Sequence, residues 1–239
     1  MMHRRLVVFV GCQGAGKTTQ AFLLLKALKS LKYDAYMISL ADYVIFQQKF
    51  INLLKQLCKT NVVIVKFYED LPPGLSPSPE IYRRLFMLLI FLHFVGFTIS
   101  LIKKRLFMLL CQVVIEHEGY VFKQLADIYF LVAFAKVKPN SVISTLLKRF
   151  SIILLSTLLK DKILIIHLRA DVNILKKRYA KRLHVEPAHY LHFQEKVYSR
   201  LIEYLANSHN IDIVNVNSDL EVAKVYSTIA NAVYAFLRR

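Results

Sequence analysis

A glycine-rich turn between two apolar segments constrains the fold of this chain more than any other feature. Three of the six glycines lie within six residues, in the run GCQGAGKTT at residues 11–19. This run matches the pattern G-x-x-x-x-G-K-[ST]. It follows the continuous apolar run Leu6–Val10, which is typical of a fully buried strand. An amphipathic helix is predicted after it, from Lys17 to Leu31, with one apolar face formed by Phe22, Leu25, Leu28 and Leu31.

The chemistry of phosphate binding explains this spacing. Several backbone N–H groups must converge on one anion, and glycine makes the required turns at little cost. The helix that begins near Lys17 directs its unpaired N–H groups at the same place. We expect Lys17 to reach the β- and γ-phosphates of ATP and the Thr18 hydroxyl to ligate Mg²⁺. The predicted nucleotide-binding residues are Gly11, Gln13, Gly14, Ala15, Gly16, Lys17, Thr18 and Thr19.

Short β-rich runs alternate with longer helical stretches along the chain, which indicates an α/β fold with helices on both faces of a parallel sheet. We treat residues 1–239 as one domain. The predicted strands are Leu6–Val10, Ala35–Leu40, Gln112–Ile115, Ile163–Leu168 and Ile211–Val216, and 61–67 is also β-like. A C-terminal helix follows Ser218 and Asp219, which are possible caps; its apolar positions are Val222, Val225, Ile229, Val233 and Phe236.

The composition of the chain indicates the kind of partner that it binds and the cellular compartment in which it works. The chain has 33 Lys and Arg against 16 Asp and Glu, a formal net charge of +17, which favours an anionic partner. The three cysteines are widely spaced and odd in number, so they form no disulfide framework and indicate a reducing cytosol. The apolar run before Gly11 is too short for the core of a signal peptide. We therefore expect a cytoplasmic protein.

The run VVFVGCQGAGKTTQAFLLL at residues 7–25 resembles the start of thymidylate kinases. Residues 163–171 and 176–182 look like that family's fourth strand and its arginine-bearing lid, and 193–206 and 211–216 look like its last helices and strand. The resemblance implies a P-loop NTPase of the nucleoside monophosphate kinase type, with a five-stranded parallel sheet of order 2-3-1-4-5. It also implies ATP- and Mg²⁺-dependent phosphoryl transfer to a nucleotide, with dTMP as the first candidate.

The lid resemblance covers a basic segment, residues 176–190. Five of the seven residues from Lys176 to Arg182 are basic. Arg178 and Arg182 are four residues apart, so they share one helical face. Planar guanidinium groups stabilise the charge that spreads over a migrating phosphoryl group. We predict catalytic roles for both arginines, and the alternative is a solvated basic helix face.

The third strand departs from the family pattern of Asp-Arg-Tyr. The chain has VVIEHEGYVF at residues 113–122, and this match places Glu118 at the aspartate position, with Glu116 as the alternative. Glu118 is predicted to be a catalytic residue and a metal ligand. Gly119 then replaces the family's arginine, Tyr120 is a predicted substrate contact, and Asp42 stands where the family has a Glu-Pro-Gly segment. Asp42 is likewise predicted to bind substrate.

A proline-rich loop and a long apolar helix occupy residues 71–105. Leu85–Ile102 carries no charge over 18 residues and has basic residues on both sides. Topology argues against a single membrane span, because such a span would put the phosphate-binding loop and Glu118 on opposite sides of the bilayer. Two alternatives stay open, a buried helix and contact of residues 85–105 with a membrane surface. Val142–Leu159 is predicted to be an ordinary helix.

Three functions are compatible with the sequence. The first is an ATP-dependent kinase with Lys17, Glu118, Arg178 and Arg182 as catalytic residues, ATP and a nucleotide acceptor as partners, and no stable nucleic-acid complex. The second is a P-loop kinase for another, apolar acceptor. The third is a nucleotide-dependent binding protein or ATPase on nucleic acid or a membrane surface. The sequence leaves open whether the chain forms a homodimer.

Overall fold

The computed structural model describes residues 4–39, 79–119, 121–126, 129, 142–159, 162–180, 188–206 and 211–239. The strands are β1 (Arg5–Val10), β2 (Ala35–Ile38), β3 (Val113–Glu116), β4 (Ile163–Arg169) and β5 (Ile211–Asn217). The helices are α1 (Lys17–Ser30), α2 (Pro79–Leu110), α3 (Val142–Leu159), α4 (Val172–Ala180), α5 (Ala188–Leu205) and α6 (Val222–Arg238). Residues 121–126 form a further helical segment after β3. The β-like run at 61–67 lies outside the described residues.

The strands form one parallel sheet in the order β2-β3-β1-β4-β5. This confirms the predicted α/β class and the strand order 2-3-1-4-5. All six residues of the central strand β1 are buried. A parallel strand covered on both faces reads as an unbroken apolar run, so β1 and β4 were detectable from sequence. Parallel strands also align their carboxyl ends at one edge, where the phosphate-binding turn follows β1.

Each face of the sheet has its own hydrophobic core. On one face, Val8 and Ile165 pack with Phe97 of α2 and Tyr198 of α5. On the other face, alternate residues of the same strands pack against α1 and α6. That second core contains Val7, Phe9, Leu164, Ile166, Leu168, Ala21, Leu24, Leu28, Val225, Ile229, Val233 and Phe236. The period of two along each strand therefore divides the helices between the two faces.

The buried face of α1 differs from the predicted one. Leu28 is buried as predicted and Leu25 is partly buried, but Phe22 and Leu31 are about half exposed, and Ala21 and Leu24 complete the buried face. The prediction was wrong for Phe22 and Leu31 because the successive residues 21–25 are all apolar, so spacing alone did not fix the edges of the face that meets the sheet.

The start of α6 also differs from the prediction. Its N-cap is Glu221, without a side-chain cap bond, and Val222 is exposed. Ser218 and Asp219 do not cap the helix but tie the ends of β4 and β5 together. The Ser218 hydroxyl donates to the Arg169 carbonyl at 3.0 Å, and the Asp219 carboxylate accepts from the Asp171 N–H at 3.2 Å.

A buried arginine fastens the C-terminal helix to the central strand. Arg5 is 6% exposed, and its Nη1 donates to the carbonyl oxygen of Phe236 at 2.8 Å. Its guanidinium also lies 5.1 Å from the centroid of the Phe236 ring. The last carbonyl groups of a helix lack intrahelical donors and favour a nearby positive charge. Arg5, at the amino end of β1, therefore supplies a hydrogen-bond donor to a carbonyl group in the last turn of α6.

The apolar segment Leu85–Ile102 lies within α2. From residue 94 onward, where its side chains are described, one face is buried and contains Phe97, Ser100, Lys104 and Met108. The other face leaves Ile102, Leu106 and Leu109 more than half exposed. From residue 94 onward, therefore, only one face of α2 is buried against the rest of the protein. No helix in the described ranges combines the length and apolar character needed to cross a bilayer.

Candidate active site

The phosphate-binding turn is wrapped around the side chain of its own lysine. Lys17 Nζ donates to the carbonyl oxygens of Gly11 at 2.7 Å and Cys12 at 3.0 Å. Gly11, Gly14 and Gly16 have φ angles of 148°, 81° and 91°, in the region that glycine adopts readily. Inside the turn, the Ala15 N–H donates to the Cys12 carbonyl at 3.1 Å. The ammonium group thus lies at the start of the turn that leads into α1, and the N-terminus of a helix favours a bound anion.

Arg178 joins this turn to the connection between β5 and α6. Its Nη1 donates to the carbonyl oxygen of Gly14 at 3.2 Å, and its Nη2 donates to that of Ser218 at 2.7 Å. The planar guanidinium group can address both acceptors at once. Arg178 comes from the basic segment 176–190, of which α4 covers the first part and α5 the last. The structure therefore brings Arg178, one of the two predicted arginines, to the phosphate-binding turn.

A cavity of about 290 Å³ opens between the turn, Arg178 and the start of α6. Its size is near the lower end of ligand sites, so it suits a ring system rather than a whole nucleotide. The side chains of Leu220, Val222 and Val225 supply apolar walls. The full lining is Gly14, Ala15, Gly16, Thr19, Gln20, Arg178, Ser218, Leu220, Val222 and Val225. Because Gly14–Gly16 belong to both features, the cavity and the phosphate-binding turn form one continuous site.

The two glutamates after β3 have different surroundings. Glu116 is the last residue of β3 and is fully buried, and its carboxylate accepts the backbone N–H groups of Glu118 at 2.9 Å and Gly119 at 3.0 Å. Glu118, in contrast, lies beyond the strand with its side chain 35% exposed. Gly119 has a φ of 85°, which an arginine adopts only under strain. The turn that Glu116 holds therefore explains the glycine at this position.

His117 lies between the third strand and the phosphate-binding turn. Its Nδ1 is 3.4 Å from the Thr18 hydroxyl oxygen and 3.7 Å from Glu118 Oε1. Thr18 and Glu118 thus both lie near the same imidazole nitrogen. Both carry the hard oxygen donors that Mg²⁺ prefers, and this ion commonly takes one or two protein ligands together with substrate phosphates. The residues present fit a magnesium site of that kind.

A cluster of charged residues lies next to Cys12 of the turn, at the carboxyl end of β4. Glu195 Oε1 is 3.2 Å from Arg169 Nε and 3.6 Å from the Nε2 of buried His167, whose Nδ1 is 3.0 Å from Asn215 Oδ1. Burial raises the pKa of Glu195, but His167 and Arg169 outweigh it, and the net pKa is below its usual range. Cys12 Sγ lies 3.9 Å from Glu195 Oε2 and donates to the Leu191 carbonyl at 3.5 Å. The cluster therefore connects α5 to the phosphate-binding turn.

The described residues thus bring together Lys17, Thr18, Arg178 and the predicted glycines. Three predicted site residues, Asp42, Tyr120 and Arg182, lie outside the described residues. Sequence reasoning missed His117, Gln20 and the cavity residues of the β5–α6 connection. Gln20 had one detectable signal, because it is a polar residue that follows the motif at the start of a leucine-rich helix. Ser218 was singled out, but as a helix cap.

Solved structures share this fold. A structure described as deoxyadenosine kinase from M. mycoides with bound dCTP aligns with a TM-score of 0.54 at 16% identity, covering 97% of this chain and 99% of that one. The structure of deoxyadenosine kinase from M. mycoides with bound dATP aligns with a TM-score of 0.53 at 16% identity, covering 96% and 99%.

No family model matches the chain, and no curated protein matches it in sequence. At 16% identity the structural likeness establishes the fold. The predicted fold, a five-stranded parallel sheet with the glycine-rich turn after its central strand, is therefore confirmed, whereas the specific resemblance to thymidylate kinases stays a prediction.

Proposed function

We propose that this chain is a kinase that transfers the γ-phosphoryl group of ATP to an acceptor containing a deoxynucleoside. One observation carries the proposal. The phosphate-binding turn, with Lys17 Nζ 2.7 Å from the Gly11 carbonyl, is continuous with a base-sized cavity that Arg178 borders. One nucleotide can occupy both, with its phosphates at the turn and its base in the cavity.

Each residue of the turn has a part in this proposal. Lys17 exchanges its contacts with the Gly11 and Cys12 carbonyls for the β- and γ-phosphates, where its charge offsets the charge of the transferring group. Arg178 fixes the edge of the cavity and supplies a second positive charge beside Gly14. Arg182, four residues further on, has a matching role in the proposal.

Thr18 and Glu118 would hold Mg²⁺, which neutralises negative charge on the phosphates when bound. Glu118 also orients the attacking oxygen of the acceptor. It takes the proton when that oxygen is a hydroxyl, whereas a phosphate acceptor attacks through an oxygen that is already ionised. Asp42 and Tyr120 are the proposed acceptor contacts. Glu116, whose carboxylate accepts two backbone N–H groups, positions Glu118 and does not itself touch substrate in this account.

The sequence resemblance and the structural neighbours together indicate the class of acceptor. The sequence resembles kinases that act on dTMP, and solved structures with the same fold are described as deoxyadenosine kinases. Deoxynucleosides and their monophosphates share the sugar and base, and they differ in whether a hydroxyl or a phosphate attacks. Within this class dTMP remains the first nucleotide to test.

The experiment is a transfer assay with γ-labelled ATP, Mg²⁺ and purified full-length chain. The acceptors are thymidine, deoxyadenosine, dTMP and dAMP, each with a matched reaction that contains the Lys17→Met variant. We expect label to move to at least one acceptor and to do so only with the wild-type chain. Release of inorganic phosphate without labelled acceptor would instead identify a nucleotide-dependent ATPase, and no reaction at all would contradict the proposal.

A further inference from the structure

His117 connects the third strand to the phosphate-binding turn. It follows Glu116, the last residue of β3, and Glu116 pairs with Val8 of β1 in the parallel sheet. This pairing brings His117 to the edge of the sheet where the turn leaves β1. Its side chain is 13% exposed, and its Nδ1 is 3.4 Å from the hydroxyl oxygen of Thr18. Two residues that are 99 positions apart in the sequence thus meet at the start of α1.

The backbone around His117 is held on both sides. Before it, β3 is buried along its whole length, and after it the Glu116 carboxylate accepts the N–H groups of Glu118 and Gly119. The imidazole therefore extends from a fixed point of the main chain. A side chain attached in this way can orient a metal ligand beside it, because outer hydrogen bonds fix the direction in which metal ligands point.

The chemistry of the Thr18 hydroxyl determines what it requires from its neighbour. A hydroxyl group has one O–H donor and two lone pairs. When one lone pair ligates a cation, the proton remains on the oxygen and requires an acceptor. Among the described residues, His117 Nδ1 is the hydrogen-bond partner that the structure gives to this hydroxyl. A neutral imidazole that carries its proton on Nε2 presents Nδ1 as that acceptor.

We propose that His117 is a positioning residue for magnesium: its Nδ1 accepts the proton of the Thr18 hydroxyl and so turns a lone pair of that oxygen toward the ion. This inference rests on the proposed function, in which Thr18 holds Mg²⁺. Glu118 Oε1, at 3.7 Å from the same nitrogen, lies beyond hydrogen-bond distance. Active-site hydrogen bonds are often long before ligands bind, so the contact of 3.4 Å is expected to shorten on binding.

Equilibrium binding of a non-hydrolysable ATP analogue to the full-length chain tests this without turnover. The Kd is measured in EDTA and in Mg²⁺, and the ratio of the first value to the second is the magnesium enhancement. His117→Leu removes the acceptor, whereas His117→Asn has nearly the same shape as leucine and places an oxygen at the position of Nδ1. Loss of one neutral hydrogen bond predicts that the enhancement falls about three- to tenfold in His117→Leu.

Two further expectations separate positioning from packing. His117→Asn should keep the wild-type magnesium enhancement, and the Kd in EDTA should stay at the wild-type value in both variants. A role in packing alone would instead change the Kd in EDTA as well. His192→Leu is the control, because His192 is an exposed histidine on α5, and it should match the wild type in both measurements.

A double-mutant cycle shows whether His117 acts through Thr18. Thr18→Val keeps the shape of the side chain and removes the hydroxyl. If His117 holds that hydroxyl, His117→Leu has no further effect on the magnesium enhancement in the Thr18→Val background. In the Glu118→Gln background, the effect of His117→Leu should persist. An effect that disappears with Glu118→Gln and persists with Thr18→Val would overturn the proposal.

The remaining outcomes distinguish this inference from the proposed function. A His117→Leu variant that keeps the wild-type enhancement would overturn the role of His117 and leave the kinase proposal standing. A wild-type chain that binds the analogue equally well in EDTA and in Mg²⁺ would overturn both the magnesium site and the role of His117, and a wild-type chain that does not bind it would overturn the kinase proposal too.

A second pair of variants decides the question if His117→Leu does not fold. The oxygen of His117→Gln reaches the position of Nε2, whereas that of His117→Asn reaches the position of Nδ1. We expect the magnesium enhancement to fall in His117→Gln and to stay at the wild-type value in His117→Asn. Equal enhancement in these two variants would contradict a role for Nδ1.

Discussion

The α-carbon of Gly11 faces the backbone carbonyl oxygen of Leu168 so closely that a methyl group on Gly11 would overlap this oxygen. The contact joins the end of the central strand to its neighbour β4 at the point where the phosphate-binding turn begins. Gly11 also has a φ of 148°, in the range that side chains rarely adopt. Both facts make glycine a structural requirement here, independent of any ligand.

Gly11→Ala should therefore destabilise the fold. Overpacking against a backbone atom costs about 1–3 kcal/mol, and the strained φ adds a similar amount of ~1–3 kcal/mol. The measurement is the free energy of unfolding from urea denaturation. Gly16→Ala is the matched control, since its φ is 91° but nothing lies within 4 Å of the added carbon. Equal losses for the two variants would contradict the close approach to Leu168.

Arg178→Lys should weaken ATP binding about tenfold. A lysine ammonium group is a single point charge and cannot reach the Gly14 and Ser218 carbonyls in the way that the guanidinium does. Loss of one charged hydrogen bond accounts for this magnitude. The KM for ATP, or the Kd of a non-hydrolysable analogue, measures it. Lys177→Met, at an exposed position of the same helix, should leave the value unchanged. An Arg178→Lys variant with wild-type affinity would show that the contacts of Arg178 with the Gly14 and Ser218 carbonyls do not contribute to nucleotide binding.

Glu116 and Glu118 should respond to the same substitution in different ways. In Glu116→Gln, one of two backbone N–H groups faces an NH₂ group instead of an acceptor, so we expect a loss of about 1–3 kcal/mol in the free energy of unfolding. In Glu118→Gln, we expect near-wild-type stability and a drop in kcat of about 100-fold or more. Stability and turnover are measured on the same preparations. The reverse pattern would assign the catalytic role to Glu116.

The pKa of Glu195 predicts how stability depends on pH. A carboxyl group whose folded pKa is below its unfolded value, about 4.3, stabilises the fold above that pH and loses the contribution as pH falls through the folded pKa. Glu195→Gln should thus cost about 1 kcal/mol near neutral pH. The difference from wild type should shrink below about pH 4.3.

Thermal or urea unfolding of both proteins between neutral and acidic pH measures this difference. Glu203→Gln, an exposed change on the same helix, should stay within about 0.5 kcal/mol of wild type throughout. A Glu195→Gln difference that grows toward acidic pH would show the opposite sign of the pKa shift.

Much of the fold was predictable because β1, β3 and β4 are buried on both faces. Such strands appear as unbroken apolar runs, and the turn after Val10 carries a motif whose spacing the chemistry of phosphate binding explains. Leu28 was predicted to be buried on α1 and is, but the rest of the buried face was not predictable, because residues 21–25 are all apolar and only packing against the sheet selects Ala21 and Leu24.

The sequence predicted the turn of the candidate site but did not predict its cavity. Lys17 and Thr18 belong to the motif itself, and Arg178 lies within a run of basic residues. Gln20 and Ser218 lie in the same cavity only because α1, β5 and α6 pack together. The spacing of residues in the sequence does not predict this packing. The choice between Glu116 and Glu118 likewise depends on which backbone N–H groups each carboxylate accepts.

The most direct test of the account is a calorimetric titration of the full-length chain with a non-hydrolysable ATP analogue and Mg²⁺. We predict one binding site per chain for the wild type. In Lys17→Met, the affinity should fall about 100-fold, which corresponds to the loss of a charged hydrogen bond of about 3 kcal/mol. Unfolding curves of the two proteins provide the control for folding. The absence of binding heat in a folded wild-type chain, or equal binding by Lys17→Met, would contradict the central claim that this turn holds the phosphates of a nucleotide.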